Sequence, residues 1–413
     1  MAKHIIKKFR SGIKILREFG VISLLIVMLQ KLQNSFNKNP GSIVDTRAKY
    51  NDVISADPSK PANRRWKGLN HFKPLCFNWL MPPPGKGSGG HMTLFRFIKY
   101  LEDHGHKCRI YFFKPNPTST VEDVLNVMGD SFPPVKAQMS WLKENEEMDD
   151  ADGIFATSWE TAYSVYASKV KAKKFYFVQD FEPYFYPVGG LSILAENTYR
   201  LGFYGITAGG WLKKKLHAEY GMTTESFDFG SDSDVYKLDN TSKRKEVVFY
   251  ARPYTERRGF ELGILALDIF HRKHPEYAIN FIGWDTSDYK IPFPYNNLKI
   301  LEHNDLNDVY NRSAAGLVMS LTNMSLLPLE LLSSGCIPVV NEGSNNRLVS
   351  DNGYIAYSES DPVSLAGTLS DIVTRSDATD YAQKASHSVS KCSWDDSGSS
   401  FVKIVEIATR KPL

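Results

Sequence analysis

Val247-Val-Phe-Tyr-Ala251-Arg252-Pro-Tyr-Thr-Glu-Arg257-Arg258-Gly259-Phe260 reads as a short apolar strand, a turn carrying three arginines, and the start of an apolar-periodic helix at Phe260–Lys273. A strand that leads into a helix must regain the sheet by a crossover, which makes the next strand parallel and covers both faces of the sheet. The alternation continues downstream, with strands expected at Ile279–Gly283, Leu298–Leu301, Gly316–Ser320 and Ile337–Asn341. Helices are expected at Leu306–Ser313, Leu327–Ser334 and Asp361–Thr374. It also runs upstream, where Leu75–Met81, Cys108–Phe113, Gly153–Thr157, Lys174–Gln179, Gly205–Ala208 and Ser226–Phe229 read as strands. Gly90–His104, Glu160–Lys169 and Trp211–Tyr220 read as helices between them. The polar stretch Lys237–Lys245 separates the two runs and reads as an interdomain linker. The fold class is therefore α/β: two Rossmann-like halves facing across a cleft, which is a natural place for a ligand.

A chain of 413 residues with 42% hydrophobic and 23% charged residues is neither wholly disordered, collagenous nor a polytopic membrane protein. Its net charge of +4 is unevenly held. Residues 1–38 carry eight basic side chains against the single acid Glu18, a local +7 that leaves the remainder at −3. A nucleic-acid-binding reading of the whole chain loses its main support. Cys76, Cys108, Cys336 and Cys392 form no CxxC pair, so neither a zinc knuckle nor a disulfide framework is expected, and a reducing cytoplasm suits them.

The leader places Ile5, Phe9, Ile13, Leu16, Leu24 and Val27 on one helical face with basic residues on much of the other. Its uncharged run Phe19–Gln30 falls short of the roughly 18–20 residues needed to span a bilayer, and no small-residue cleavage site follows it. The expectation is a helix lying on the anionic inner face of the cell membrane. The competing reading packs it on the chain's own core or on a twin subunit, as in a homodimer.

Three constellations could carry chemistry. Pro82-Pro-Pro-Gly85-Lys-Gly87-Ser-Gly89-Gly90-His91 lies between a strand and a helix, where glycines let a phosphate approach the backbone and the helix N-terminus favours an anion. Gly85, Gly87 and Gly90 formally match the GxGxxG dinucleotide fingerprint, which admits an NAD(P)-dependent oxidoreductase. The following strand, however, leads into Lys114 rather than the acid a nicotinamide site uses to hold the ribose. The arginines of the opening stretch can meet a phosphate pair, because guanidinium forks bind phosphate oxygens bidentately; a solvated basic turn is the bland alternative. The third is Met319-Ser-Leu-Thr322-Asn323-Met324-Ser325-Leu-Leu-Pro328-Leu-Glu330, which places a carboxylate among leucines, costly unless something pairs with it. Two Asp-x-Asp matches, Asp150/Asp152 and Asp232/Asp234, are expected by chance in an aspartate-rich chain, and no metal-ligand cluster is expected.

In this order the pieces resemble the GT-B enzymes of glycosyltransferase family 4. With Asn78-Trp-Leu-Met-Pro, Gly87-Ser-Gly-Gly-His91, Phe177-Val-Gln-Asp180-Phe-Glu182-Pro and Phe229-Gly-Ser-Asp232 they look like bacterial rhamnosyltransferases of the WsaF type, which build surface glycans such as those of S-layers. The resemblance covers about residues 70–410. It implies an extension at 1–60, an acceptor-binding domain at 61–238, a nucleotide-sugar domain at 243–392 and a helix at 393–413 crossing back to the first domain.

By motif it assigns Arg252 and Arg258 to the donor diphosphate and, with Asp180, to the catalytic set. Gly89, Gly90, Thr322, Asn323, Met324, Ser325 and Glu330 fall on the donor side, Glu330 holding the nucleotide ribose; His91, Asp180 and Glu182 fall on the acceptor side. Thr322 stands where the family's first signature glutamate belongs, a departure compatible with a deoxysugar donor. The implied activity is retaining transfer of a hexose, best L-rhamnose from dTDP-L-rhamnose, to a growing lipid-linked or other surface glycan, with no metal or other cofactor. A membrane-surface scaffold with a degenerate transferase fold is the non-enzymatic alternative. Removing residues 1–38 should lower cosedimentation with anionic liposomes, and unchanged binding would remove the surface-helix reading.

Overall fold

Two all-parallel sheets make up the computed structural model. It describes residues 45–69, 74–85, 87–113, 120–129, 132–143 and 146–411. The basic leader, with its expected helix, lies outside these residues. The first sheet holds β1 (Cys76–Met81), β2 (Lys107–Phe112), β3 (Gln138–Trp141), β4 (Gly153–Ala156), β5 (Lys173–Val178), β6 (Tyr204–Ala208) and β7 (Thr223–Phe227) in the order β3-β2-β1-β4-β5-β6-β7. The second holds β8 (Glu246–Tyr250), β9 (Ala278–Ile282), β10 (Asn296–Lys299), β11 (Ser313–Val318), β12 (Ile337–Asn341) and β13 (Ala356–Ser358) in the order β10-β9-β8-β11-β12-β13. Each order reverses direction once, between β1 and β4 and between β8 and β11. Ligands of open parallel sheets bind beyond the carboxyl ends of the strands at such switch points. The Gly-rich loop follows β1, the arginine loop follows β8, and Met319–Ser325 follows β11.

The central strands are buried on both faces, as their sequences require: β5 is Lys-Lys-Phe-Tyr-Phe-Val and no residue of it is exposed. Close helix-to-sheet packing is set by small residues. A Cβ on Gly263 of helix Phe260–Lys273 would lie 2.2 Å from the Phe249 ring, so helix and β8 approach as only glycine permits. Edge elements escaped the sequence reading. β3 is Gln-Met-Ser-Trp and only partly covered, β13 has three residues, and helix Ala378–Ser388 buries only Ala382 and Ala385.

The chain crosses between the halves before Tyr236, whose ring already belongs to the second core. Lys237–Lys245 is therefore not a free linker. The Lys237 and Asp239 amides donate to Asn307 Oδ1 (3.1 Å) and Asn311 Oδ1 (2.8 Å), fastening this stretch to helix His303–Arg312. The return crossing runs beside the first, with the Ser231 amide donating to the Cys392 carbonyl at 2.9 Å. Arg96, from the helix Gly89–Asp103, clamps both: it forks onto the Asp232 carboxylate at 2.7 and 2.8 Å and lies 4.3 Å from the Trp394 ring centroid.

Helix Trp394–Arg410 then packs on the first domain. Phe401, fully buried, sits among Phe97, Phe177, Phe155 and Trp79 at centroid distances of 4.6, 6.0, 6.2 and 6.3 Å. Among the described residues no helix is long and apolar enough to cross a membrane. Phe401→Ala should destabilise the chain by about 3–5 kcal/mol through the cavity it leaves, read in denaturant melts; a change under about 1 kcal/mol would show that this helix is not part of the first core.

Candidate functional site

The arginine loop begins where β8 ends. Arg252 donates from Nη1 to the Gly283 carbonyl at 3.2 Å and lies 5.8 Å from the ring centroids of Tyr250 and Trp284. Arg258 donates to Ser320 Oγ at 2.8 Å, and burial lowers its pKa from the ordinary value. Among the described residues neither arginine reaches a carboxylate within ion-pair distance. Two guanidinium groups with only neutral acceptors, on a switch-point loop, leave charge to which an anion could be paired. Arg257 differs. Its Nε donates to Asp180 of the other domain at 3.2 Å and its guanidinium carbon lies 4.0 Å from the Phe185 ring centroid.

The loop after β11 is shaped by carboxamides. Asn341 closes a pair of bonds with the Ser320 backbone, accepting from its amide at 2.6 Å and donating to its carbonyl at 3.0 Å. Asn346 donates to the same carbonyl at 3.1 Å and to the Asn341 carbonyl at 2.7 Å. Asn345 donates to the Ser320 carbonyl at 2.9 Å and to the Thr322 carbonyl. Ser320 Oγ donates to the Asn323 carbonyl at 2.8 Å. Thr322, Asn323 and Met324 are buried, and the Asn323 Oδ1 and Ser325 Oγ atoms are buried without a partner among the described residues. These are acceptor and hydroxyl groups of the kind a sugar could satisfy.

Glu330 stands on the helix Leu327–Ser333, partly buried and without a hydrogen bond to its carboxylate among the described residues. Burial pushes its pKa up to about 8, helped by the Asp232 carboxylate and opposed by Arg96. The nearby Tyr310 hydroxyl is buried and has no partner among the described residues. A carboxyl group desolvated among leucines, with no hydrogen-bond partner for it among the described residues, can take a hydrogen-bond donor from outside the chain.

On the first-domain side the Gly-rich loop is held at both ends. His91 Nε2 meets the Pro82 carbonyl at 2.9 Å and Nδ1 meets Ser88 Oγ at 2.8 Å; burial lowers its pKa, so the neutral ring donates from Nε2 and accepts at Nδ1. The imidazole thus braces the loop from within. Gly90 is held through its carbonyl by Gln179 Nε2 at 3.0 Å, while a Cβ on Gly85, Gly87 or Gly89 would meet nothing within 4 Å, leaving open space above the backbone.

Glu182, expected on the acceptor side, instead turns into the first domain's core. Its carboxylate accepts from the Trp159 amide at 2.5 Å and the Tyr176 hydroxyl at 3.1 Å, and burial raises its pKa well above the ordinary value. It pins the start of helix Trp159–Ala167 and faces no cleft. Asp180 faces the second domain and accepts from Thr322 Oγ1 at 3.0 Å and the Asn323 amide at 2.9 Å. The sequence reading missed the carboxamides Asn341, Asn345 and Asn346 and the clamp Arg96–Asp232. A run of asparagines directly after a buried strand was the available signal for the former.

The chain's relatives agree with this architecture. Residues 245–370 match the WsaF C-terminal domain. The O-antigen biosynthesis protein RfbC of Myxococcus xanthus is 29% identical over 329 residues, 77% of this chain but only 26% of that protein, so the chain spans about a quarter of its relative's length. A glycosyltransferase from Rickettsia africae superposes with a TM-score of 0.58 at 14% identity, over 82% of this chain and 99% of that one. HepE of Anabaena, solved with UDP and glucose, gives 0.60 at 11% identity over 79% and 98%. At these identities the likeness is one of fold, and that fold is GT-B.

Because folded Glu330 keeps its proton at pH values where the unfolded chain has lost it, stability should fall as pH rises from 4.5 to about 8. Glu330→Gln should flatten that fall between about pH 5 and pH 8; melts in which variant and wild type fall alike would show that Glu330 is not desolvated.

Proposed function

We propose, from a GT-B fold whose second half carries a WsaF C-terminal domain, that this chain is a glycosyltransferase of bacterial surface-polysaccharide assembly. One observation carries the reading: Arg252 and Arg258, without carboxylate partners among the described residues, stand with the carboxamide-shaped loop Met319–Ser325 and with Glu330, whose carboxyl has no hydrogen bond among them. Cleavage of a sugar–diphosphate bond builds negative charge on the departing diphosphate and oxocarbenium character on the sugar. Fixed guanidinium groups aimed at that oxygen cluster stabilise the charge as it develops. Glu330 would accept from the nucleotide ribose, a bond that favours its ionised form and offsets the burial that raises its pKa.

The donor we infer is dTDP-L-rhamnose. Thr322 brings a hydroxyl, not an acid, to the sugar loop, which suits a sugar lacking one hydroxyl. Same-face transfer with retention, the departing phosphate taking the acceptor proton, is the mechanism the resemblance supports. The acceptor would be a growing lipid-linked or other surface glycan, reached at the inner face of the membrane through residues 1–38. RfbC, whose name places it in O-antigen biosynthesis, supports the acceptor class.

A panel of nucleotide sugars tested by thermal shift should give its largest rise with dTDP-L-rhamnose, since a ligand selective for the native state raises its melting temperature. Arg252→Ala and Arg258→Ala should each weaken binding of that donor about 10- to 100-fold by calorimetry, the loss of a charge-assisted bond of roughly 1.5–3 kcal/mol. Unchanged affinity in both would place the donor elsewhere.

A further inference from the structure

Asp180 was expected to act on the acceptor, but its lone pairs are already taken. Oδ1 accepts from the Phe181 amide at 2.8 Å and from the Asn323 amide at 2.9 Å; Oδ2 accepts from Thr322 Oγ1 at 3.0 Å and from Arg257 Nε at 3.2 Å. A carboxylate offers about four such positions, so this one has none left for a substrate proton. Three of the four donors come from the second domain although Asp180 follows β5 of the first. The residue is buried, so water does not compete for these bonds.

The bonds lead further. Asn323, held at its amide by Asp180, receives Ser320 Oγ at its carbonyl (2.8 Å), and that same Ser320 hydroxyl accepts from Arg258 Nη1 at 2.8 Å. Asn323 also donates from its own side chain to the Gln179 and Ala208 carbonyls of the first domain at 3.1 and 2.9 Å. The loop that faces the donor sugar is thus completed by groups from the opposite domain, and the arginine meant for the diphosphate is braced against that loop.

We propose that Asp180 is a positioning residue that couples closure of the two domains to donor binding: it fixes Thr322, Asn323 and Arg257 across the boundary and, through Asn323 and Ser320, orients Arg258. The link to donor binding rests on the function proposed above; the fastening of the loop across the domain boundary does not. When the domains part, Thr322 and Asn323 lose their four hydrogen bonds to Asp180, Gln179 and Ala208 together. Ser320 stays tied to Asn341, Asn345 and Asn346, but the Asn323 carbonyl that turns its hydroxyl to receive Arg258 is no longer fixed, so the site is whole only when shut. A closed site excludes water from an activated sugar.

Asp180→Asn keeps the shape but turns one acceptor into an N–H donor facing Arg257. In hydrogen exchange on the ligand-free full chain, amides of residues 319–325 should exchange at least about ten-fold faster in Asp180→Asn, with β8 and β12 unchanged. Thr322→Val, which removes one bond, should show the same change in smaller measure and decides the matter if Asp180→Asn also loosens β8 and β12. Loop exchange equal to wild type, with those strands intact, overturns the coupling. Calorimetric titration with dTDP should show affinity falling about ten-fold in both Asp180→Asn and Ser320→Ala; wild-type affinity in Ser320→Ala overturns the brace on Arg258. If wild type binds neither dTDP nor UDP, the nucleotide-sugar reading fails, and the exchange measurements still decide the coupling.

Discussion

A parallel strand can be followed by another only through a crossover, and that constraint decides where everything in this protein lies. Each strand must leave the sheet at its carboxyl end, so every loop that follows a strand emerges on the same edge. Among the described residues thirteen strands divide between two such sheets, and the loops that could carry chemistry stand on their carboxyl edges: Gly85–His91 and Asp180 on one, Arg252–Arg258 and Met319–Ser325 on the other. The residues are distant in sequence because the topology requires a helix between each pair. Within each sheet the reversal of strand order, between β1 and β4 and between β8 and β11, opens the crevice beside which these loops stand.

Much of the fold was legible because fully buried strands announce themselves. Phe-Tyr-Phe-Val in β5 and Ile-Pro-Val-Val in β12 leave no alternative to a doubly covered sheet. Two of the four edge strands, β3 and β13, were not legible for the converse reason, while β7 and β10 were read a few residues late. Gln138–Trp141 and Ala356–Ser358 pair on one side only, so their sequences carry little of the apolar pressure that marks a strand. Within the site, side-chain type was readable but orientation was not. Glu182 and Asp180 stand two residues apart on one loop, yet one carboxylate enters the core and the other crosses to the neighbouring domain. Only the turn after β5, a short 3-10 helix at Glu182–Phe185, separates these outcomes.

The charges of the site fall into two groups with different duties. Asp180, Arg257, Arg96 and Asp232 are satisfied within the chain and fix geometry. Among the described residues Arg252 and Arg258 meet only neutral acceptors and keep their charge, while Glu330, pushed up by burial and the Asp232 carboxylate, keeps its proton until a donor from outside favours the ionised form. Keeping such groups unpaired costs folding free energy, and the network of Asn341, Asn345 and Asn346 supplies a rigid frame against which that cost can be sustained.

The helix Trp394–Arg410 has a consequence for how the protein is made. Phe401 completes a cluster built from Trp79, Phe97, Phe155 and Phe177, residues that leave the ribosome more than two hundred positions earlier. The second domain, whose core begins at Tyr236 and ends at Val389, has every one of its apolar partners before that helix is synthesised. The order of birth and the order of completion are therefore opposite. The domain translated first keeps an aromatic groove unfilled until that helix arrives, so its exposed apolar surface outlasts that of the domain translated after it.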